Sequence, residues 1–304
     1  MISFHPLTLA DKDFIQSHLY ETDYRNCDYC FMNLISWRFL YQTEVANHHN
    51  HLVIRFKANG HNAYLPPVGT DNDTEVIQSL VDDAQQMEEP FLMLGVCEKA
   101  FALIDEALPG YFYAKADRDY SDYIYSRQSL STFSGKKLQA KRNFVNRFIK
   151  EHPDYHFEPL TPKHFDDCLK LNELWESNKE APVHANERYN KETETHSLRN
   201  VFQHWEQLGG QGGALYVGNQ IVAFTYGAPI NHNTFDVCAE KADTRFTGAF
   251  ATINREFVKQ LPEQYTLINR EEDLGIAGLR QSKLSYHPEQ ILHKYTVMTK
   301  HPLG

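Results

Sequence analysis

Tyr265-Thr266-Leu267-Ile268-Asn269-Arg270-Glu271-Glu272-Asp273-Leu274-Gly275-Ile276-Ala277-Gly278-Leu279-Arg280-Gln281-Ser282-Lys283-Leu284-Ser285-Tyr286-His287-Pro288 is the stretch from which the fold is read. The apolar opening, Tyr265 to Ile268, reads as a strand. A strand that ends in Asn, Arg, two Glu and Asp carries polar groups to the rim of a sheet, where open α/β sheets bind ligands. Gly275 and Gly278 allow a tight turn and a close approach of the backbone to a ligand. Arg280 and Lys283 stand three apart and share a face if this piece is helical. A charged connection with Asp273 as a helix N-cap is the alternative.

Working outward, the chain repeats itself. Phe4-His5-Pro6-Leu7-Thr8 returns as Phe157-Glu158-Pro159-Leu160-Thr161. Each copy then enters a helix. The hairpin 52–56 and 63–67, turning at Asn59-Gly60, is matched by 214–217 and 221–226, turning at Gly218-Asn219. Strand 91–94 is matched by 265–268, and 120–125 by 293–298. Helix, hairpin, helix and strand thus recur in the same order, which predicts two copies of one α/β unit. The expected class is mixed α/β, with mostly antiparallel sheets flanked by helices. Residues 1–127 form the first unit, 128–149 a linking basic helix and 150–304 the second unit. The first rim reads Gly95-Val96-Cys97-Glu98 and the second is far more polar, so chemistry is expected in the second unit.

The stretch resembles the N-x-x-x-D-L-G-x-x-G-L-R-x-x-K-x-x-Y-x-P signature of a family related to the C-terminal catalytic domain of phosphatidylglycerol lysyltransferases. Gly135-Lys136-Lys137-Leu138-Gln139-Ala140-Lys141-Arg142-Asn143-Phe144-Val145-Asn146-Arg147-Phe148 resembles that family's G-K-K-x-x-x-K-R-N-x-x-N-x-F element. The resemblance implies a tandem pair of GNAT-like acyltransferase domains, similar in plan to the Fem aminoacyltransferases, and acyl or aminoacyl transfer.

Composition bounds the function. At 304 residues and 41% hydrophobic content, the chain suits a soluble two-domain protein. No apolar run approaches the roughly 18 residues that span a bilayer. The N-terminus lacks a basic region followed by an apolar core, so a cytoplasmic location is expected. Five cysteines are few and odd in number, as in a reducing compartment. Cys27-Asp28-Tyr29-Cys30 has C-x-x-C spacing, but zinc would need a second ligand pair, for which His48, His49 and His51 offer the nearest candidates. A structural role is expected there, and no metal. Net charge of −10 argues against nucleic-acid binding by the whole surface. No nucleophile elbow, zinc helix or dinucleotide fingerprint supports a hydrolase or oxidoreductase.

Local basic clusters therefore carry more information. Between Tyr123 and Lys150 no acid occurs, while Lys136, Lys137, Lys141, Arg142, Arg147 and Lys150 do. On an ideal helix Lys137 and Lys141 fall within the arc of Leu138, Phe144, Val145, Phe148 and Ile149, and could grip a phosphate or carboxylate. Arg245-Phe246-Thr247-Gly248-Ala249-Phe250 precedes an amphipathic helix. It resembles the loop with which GNAT enzymes bind the coenzyme A diphosphate, keeping Arg245 and Gly248. Phe250 stands where that loop has Gly or Ala, which favours another donor such as an aminoacyl-tRNA. Period two along Phe235 to Lys241 puts Asp236, Cys238 and Glu240 on one face.

The resulting expectation is a direct transfer of an acyl or aminoacyl group to an amine or hydroxyl. Glu240, Glu271 and Tyr286 are the catalytic candidates. Lys137, Lys141, Arg142, Arg245, Gly248, Asn269, Asp273, Arg280 and Lys283 are the binding candidates. An aminoacyl-tRNA or acyl-CoA would be the co-substrate, and a small molecule or lipid headgroup the acceptor. An acetyl-CoA-dependent N-acetyltransferase and a non-catalytic module for a phosphorylated ligand are the alternatives.

Overall fold

A computed structural model describes residues 1–70, 73–178 and 191–300. The strands are β1 (His5–Pro6), β2 (Glu44–His48), β3 (His51–Ala58), β4 (His61–Tyr64), β5 (Leu92–Val96), β6 (Phe112–Ser126), β7 (Tyr155–Pro159), β8 (Gln211–Val217), β9 (Gln220–Pro229), β10 (Thr234–Ala242), β11 (Leu267–Asn269) and β12 (Gln290–Thr299). The helices are α1 (Lys12–Leu19), α2 (Phe31–Tyr41), α3 (Asp73–Gln86), α4 (Glu98–Ala107), α5 (Arg127–Thr132), α6 (Gln139–Glu151), α7 (Phe165–Asn178), α8 (Lys191–Gln203), α9 (Trp205–Leu208), α10 (Ala249–Gln260) and α11 (Ala277–Leu284).

All strands join one sheet, ordered β1-β2-β3-β4-β5-β12-β6-β11-β10-β9-β8-β7. Exchange β1–β6 with β7–β12 and the order reads the same backwards. The two parallel pairs, β4–β5 and β10–β11, occupy equivalent places, and the remaining pairs are antiparallel. Each parallel step needs a crossover, supplied by α3 in one half and α10 in the other. The paired starts also fold alike: the Thr8 N–H donates to Asp11 Oδ2 at 2.8 Å, and the Thr161 N–H to His164 Nδ1 at 2.9 Å. The class is mixed α/β with a mostly antiparallel sheet, as the repeat predicted.

The halves exchange their last strands. β12 lies between β5 and β6, pairing antiparallel with both, while β6 reaches across to β11. A second tie is a shared core. Ile15 and Leu19 of α1 and Phe31, Met32 and Ile35 of α2 pack in one cluster with Leu171, Leu198, Val201 and Phe202 from α7 and α8. Burial of each such side chain contributes about 1.5–3 kcal/mol before the entropic cost of ordering it. Among the described residues no helix is long and apolar enough to cross a membrane.

Candidate functional site

β10 and β11 pair only at Thr234–Leu267, Phe235–Ile268 and Asp236–Asn269. Beyond that point β10 continues while β11 stops, so the two part at the middle of the sheet. The stretch 269–273 fills this gap. Buried Asn269 clamps it: Nδ2 donates to the Asp122 carboxylate at 2.8 Å and to the Arg25 carbonyl at 2.7 Å, and Oδ1 accepts the Glu271 N–H at 2.6 Å. Glu271 has φ +56°, a left-handed conformation that a non-glycine residue adopts at a cost of about 1–3 kcal/mol. That bend sends successive side chains to different surroundings.

Arg270 points to the α10 side. Its Nη2 donates to Glu240 Oε1 at 2.8 Å, and Asn254 Nδ2 of α10 donates to Glu240 Oε2 at 3.1 Å. The guanidinium stacks over the Tyr286 ring at 4.5 Å, and Lys141 Nζ lies 3.7 Å from the same ring centroid. Arg270 Nη1 and Asn254 Oδ1 are buried without a partner among the described residues. Each is unfavourable unless a water or a ligand completes it, and the Tyr286 hydroxyl is close enough to Arg270 to share in that role. Burial, and then the Arg270 charge, pushes Lys141 down to about 8, while burial holds Tyr286 well above the ordinary phenol value. The arrangement offers a donor for a developing oxyanion, a neutral phenol and an amine that titrates near neutrality.

Glu271 and Glu272 point elsewhere. Lys294 Nζ sits inside a cage, 2.6 Å from Asp28, 2.8 Å from Asp122 and 2.8 Å from Glu272. Cys27 joins it, with its Sγ 3.4 Å from both Asp122 and Glu272. Glu271 instead shares the Asn33 amide with Asp236, at 2.8 and 3.0 Å. Neither Glu271 nor Asp236 has an ion-pair partner within 4.0 Å among the described residues. Burial is the main reason that both carboxyls stand well above their ordinary values. Cys30 and Cys238 complete this second group, with sulfurs 3.7 Å apart.

The structure thus brings Glu240, Tyr286 and Lys141 together through Arg270, a residue the sequence analysis quoted but did not single out. The acidic row on β10 is not continuous. Asp236 pairs with Ala228 and Ala239 with Tyr226, so three steps on β10 match two on β9. This bulge turns Glu240 towards α10 while Asp236 and Cys238 face α2. Gly227 permits it, since a Cβ there would run into the Asp236 carbonyl.

Other candidates have protein partners. Helix α6 starts at Gln139, so Lys137 lies in the preceding turn, exposed, and lines a separate cavity of about 830 Å³ with Ser134, His287 and His293. Arg142 donates to the Phe133 and Gly135 carbonyls. Arg245 pairs with Asp243 at 2.6 Å. A Cβ on Gly248 would collide with the Phe144 carbonyl, so this glycine allows α6 to pack closely. Phe144 itself is exposed, off the expected apolar face. Asp273 does not cap α11, whose N-cap is Ile276; it binds Arg280 at 2.7 and 2.8 Å, and Arg118 and Tyr123. Lys283 Nζ donates to the Arg270 carbonyl. Asn33, Asp122, Asn254 and Lys294 were not singled out from the sequence, because none belongs to a recognisable motif.

A palindromic sheet whose two halves each cross over once at a parallel pair, with polar groups gathered where the second pair opens, defines a tandem GNAT-like fold. The sequence matches the family described as phosphatidylglycerol lysyltransferase, C-terminal, over residues 21–298, and the chain belongs to that family. A conserved protein of unknown function from Bacteroides thetaiotaomicron is similar at 46% identity and TM-score 0.93, over 99% of this chain and 100% of the other. L-PGS from Bacillus licheniformis is similar in fold at 17% identity and TM-score 0.66, over 96% and 92%. So is a tandem GNAT protein from the clavulanic acid biosynthesis pathway, at 10% identity and TM-score 0.52, over 100% and 99%. An uncharacterized protein of Mycoplasmoides gallisepticum is 28% identical over 187 residues, 58% of this chain; the match spans 56% of that relative's length.

Proposed function

We propose that this chain transfers an aminoacyl group from a charged tRNA to a hydroxyl or amine of a small molecule or lipid headgroup, beside the Arg270 cluster where β10 and β11 part. The observation that carries the reading is Arg270 Nη1, buried and unmet beside Glu240, Lys141 and Tyr286. In this mechanism Arg270 donates to the carbonyl oxygen of the aminoacyl ester as it gains charge. Lys141, with its value near 8, takes the proton of the attacking hydroxyl or amine. Tyr286, neutral at physiological pH, returns a proton to the departing ribose oxygen. Glu240 holds Arg270 in place. The ester bond breaks as the new ester or amide bond forms, so no covalent intermediate on the protein is needed.

Acetyl-CoA fits less well, because Phe250 stands where a diphosphate-binding loop has Gly or Ala. The test is transfer of a radiolabelled aminoacyl group from charged tRNA, lysyl-tRNA first, to phosphatidylglycerol vesicles and to soluble amines. Label moving to an acceptor is the expected result. Turnover of acetyl-CoA without any aminoacyl transfer would overturn the reading.

A further inference from the structure

Two groups of potential metal ligands lie close together, and they differ in one respect. Cys27, Asp28 and Asp122 surround Lys294, whose ammonium is 2.6 to 3.5 Å from all three and already supplies the cation. In the group Cys30, Asp236 and Cys238, the carboxylate has no lysine or arginine in ion-pair contact among the described residues. Tetrahedral zinc, with bonds of about 2.3 Å to sulfur and 2.0 Å to oxygen, sets edges of about 3.7 Å between sulfurs and about 3.5 Å between sulfur and oxygen. Here Cys30 and Cys238 sulfurs are 3.7 Å apart, and Cys238 Sγ is 3.6 Å from Asp236 Oδ2.

We infer that Cys30, Asp236 and Cys238 form a binding site for a divalent cation of the zinc type. A second observation points the same way: Asp236 is fully buried, and its Oδ1 has no hydrogen-bond partner. Two sulfurs and a carboxylate are the donor set that zinc prefers. Asp236 and Cys238 come from alternate positions of β10, which puts both on the α2 side. Cys30 comes from the residue that opens α2. The C-x-x-C pair of the sequence is therefore not the ligand pair, since Cys27 turns to Asp122 and Glu272. The fourth tetrahedral position falls to an exchangeable water or to the Ala228 carbonyl, which lies 3.9 Å from Cys30 Sγ. The ion would tie α2 of the first half to β10 of the second. It would also replace the proton that burial keeps on Asp236 and complete its unpartnered oxygen.

The inference stands apart from the transfer reading and is tested without it. Full-length protein, purified without a histidine tag under reductant, is loaded with Zn²⁺ or Co²⁺ and desalted. About one equivalent of zinc per chain is expected by elemental analysis, and the cobalt form should show thiolate charge-transfer absorption with tetrahedral visible bands. Cys238→Ser should lose the charge-transfer intensity and at least tenfold in metal affinity, whereas Cys97→Ser should keep both. Binding should weaken as pH falls, because metal displaces protons from the thiols. Wild-type protein that retains neither metal overturns the inference. So does a cobalt spectrum without thiolate character, or one that Cys238→Ser leaves unchanged. The wild-type spectrum decides even if a variant fails to fold.

Discussion

Two clusters of acids sit side by side, and only one has a cation in ion-pair contact; the other feels the charge of buried Lys283 without touching it. Around Lys294, Asp28, Asp122 and Glu272 share an ammonium, and burial is answered by charge. Lys294 also outweighs the effect of burial on Glu272, which lies below its ordinary value. Around Asn33, Asp236 and Glu271 share one neutral amide. The first cluster has its cation within the chain and ties β12 to Asp28, to Asp122 of β6 and to the 269–273 stretch. The second is incomplete, as Arg270 is on the opposite face. Incomplete buried groups cost stability, and a chain keeps them where something else completes them.

The sharpest break of this contrast is Lys294→Met. It leaves buried Asp122 and the partly buried Asp28 and Glu272 without their cation and should cost about 3–5 kcal/mol in urea unfolding. A loss below about 1 kcal/mol would mean that the cage is no more balanced than its neighbour. Arg270→Lys keeps a charge for Glu240 but removes the planar fork, so kcat/KM for transfer should fall roughly 10²-fold with little change in Tm. Unchanged transfer would remove Arg270 from the chemistry.

A gentler test uses pH in chelator-treated protein. The folded-state value of Asp236 is raised, mainly by burial. Below the unfolded carboxyl value near 4 both states hold the proton. Above it only the folded state does, so stability falls as pH rises towards the folded value. Asp236→Asn should therefore gain Tm over wild type at pH 8, with the difference shrinking towards pH 4. A constant difference across this range would contradict the assignment. Smallest of all, Lys141→Arg should abolish an inflection of the transfer rate near pH 8 while Lys137→Ala leaves the profile unaltered. A loss of the inflection in the Lys137 variant would reverse their ranking.

The sequence made much of this legible. Helix, hairpin and strand order could be read twice, because periodicity and turn residues are local signals. The stretch 269–283 and its neighbours Glu240 and Tyr286 were marked by their polarity and by the resemblance. The bulge at Asp236–Ala239 was not legible, because one extra residue in a strand leaves no mark on an alternating pattern. It put Glu240 and Asp236 on opposite faces. Lys137 was misplaced for a related reason: α6 begins at Gln139, and only the packed structure sets a helix start.

By itself the sequence determined the class of fold, the doubled unit and the stretch that carries the polar groups, since these follow from patterns a few residues long. Tertiary structure alone decided that β12 and β6 exchange places, that Arg270 joins Lys141 to Glu240, and that Cys30 meets Cys238 rather than Cys27. Each of these pairings links residues distant in the chain. Burial and charge balance select such partners, and neither quantity exists until the chain is packed.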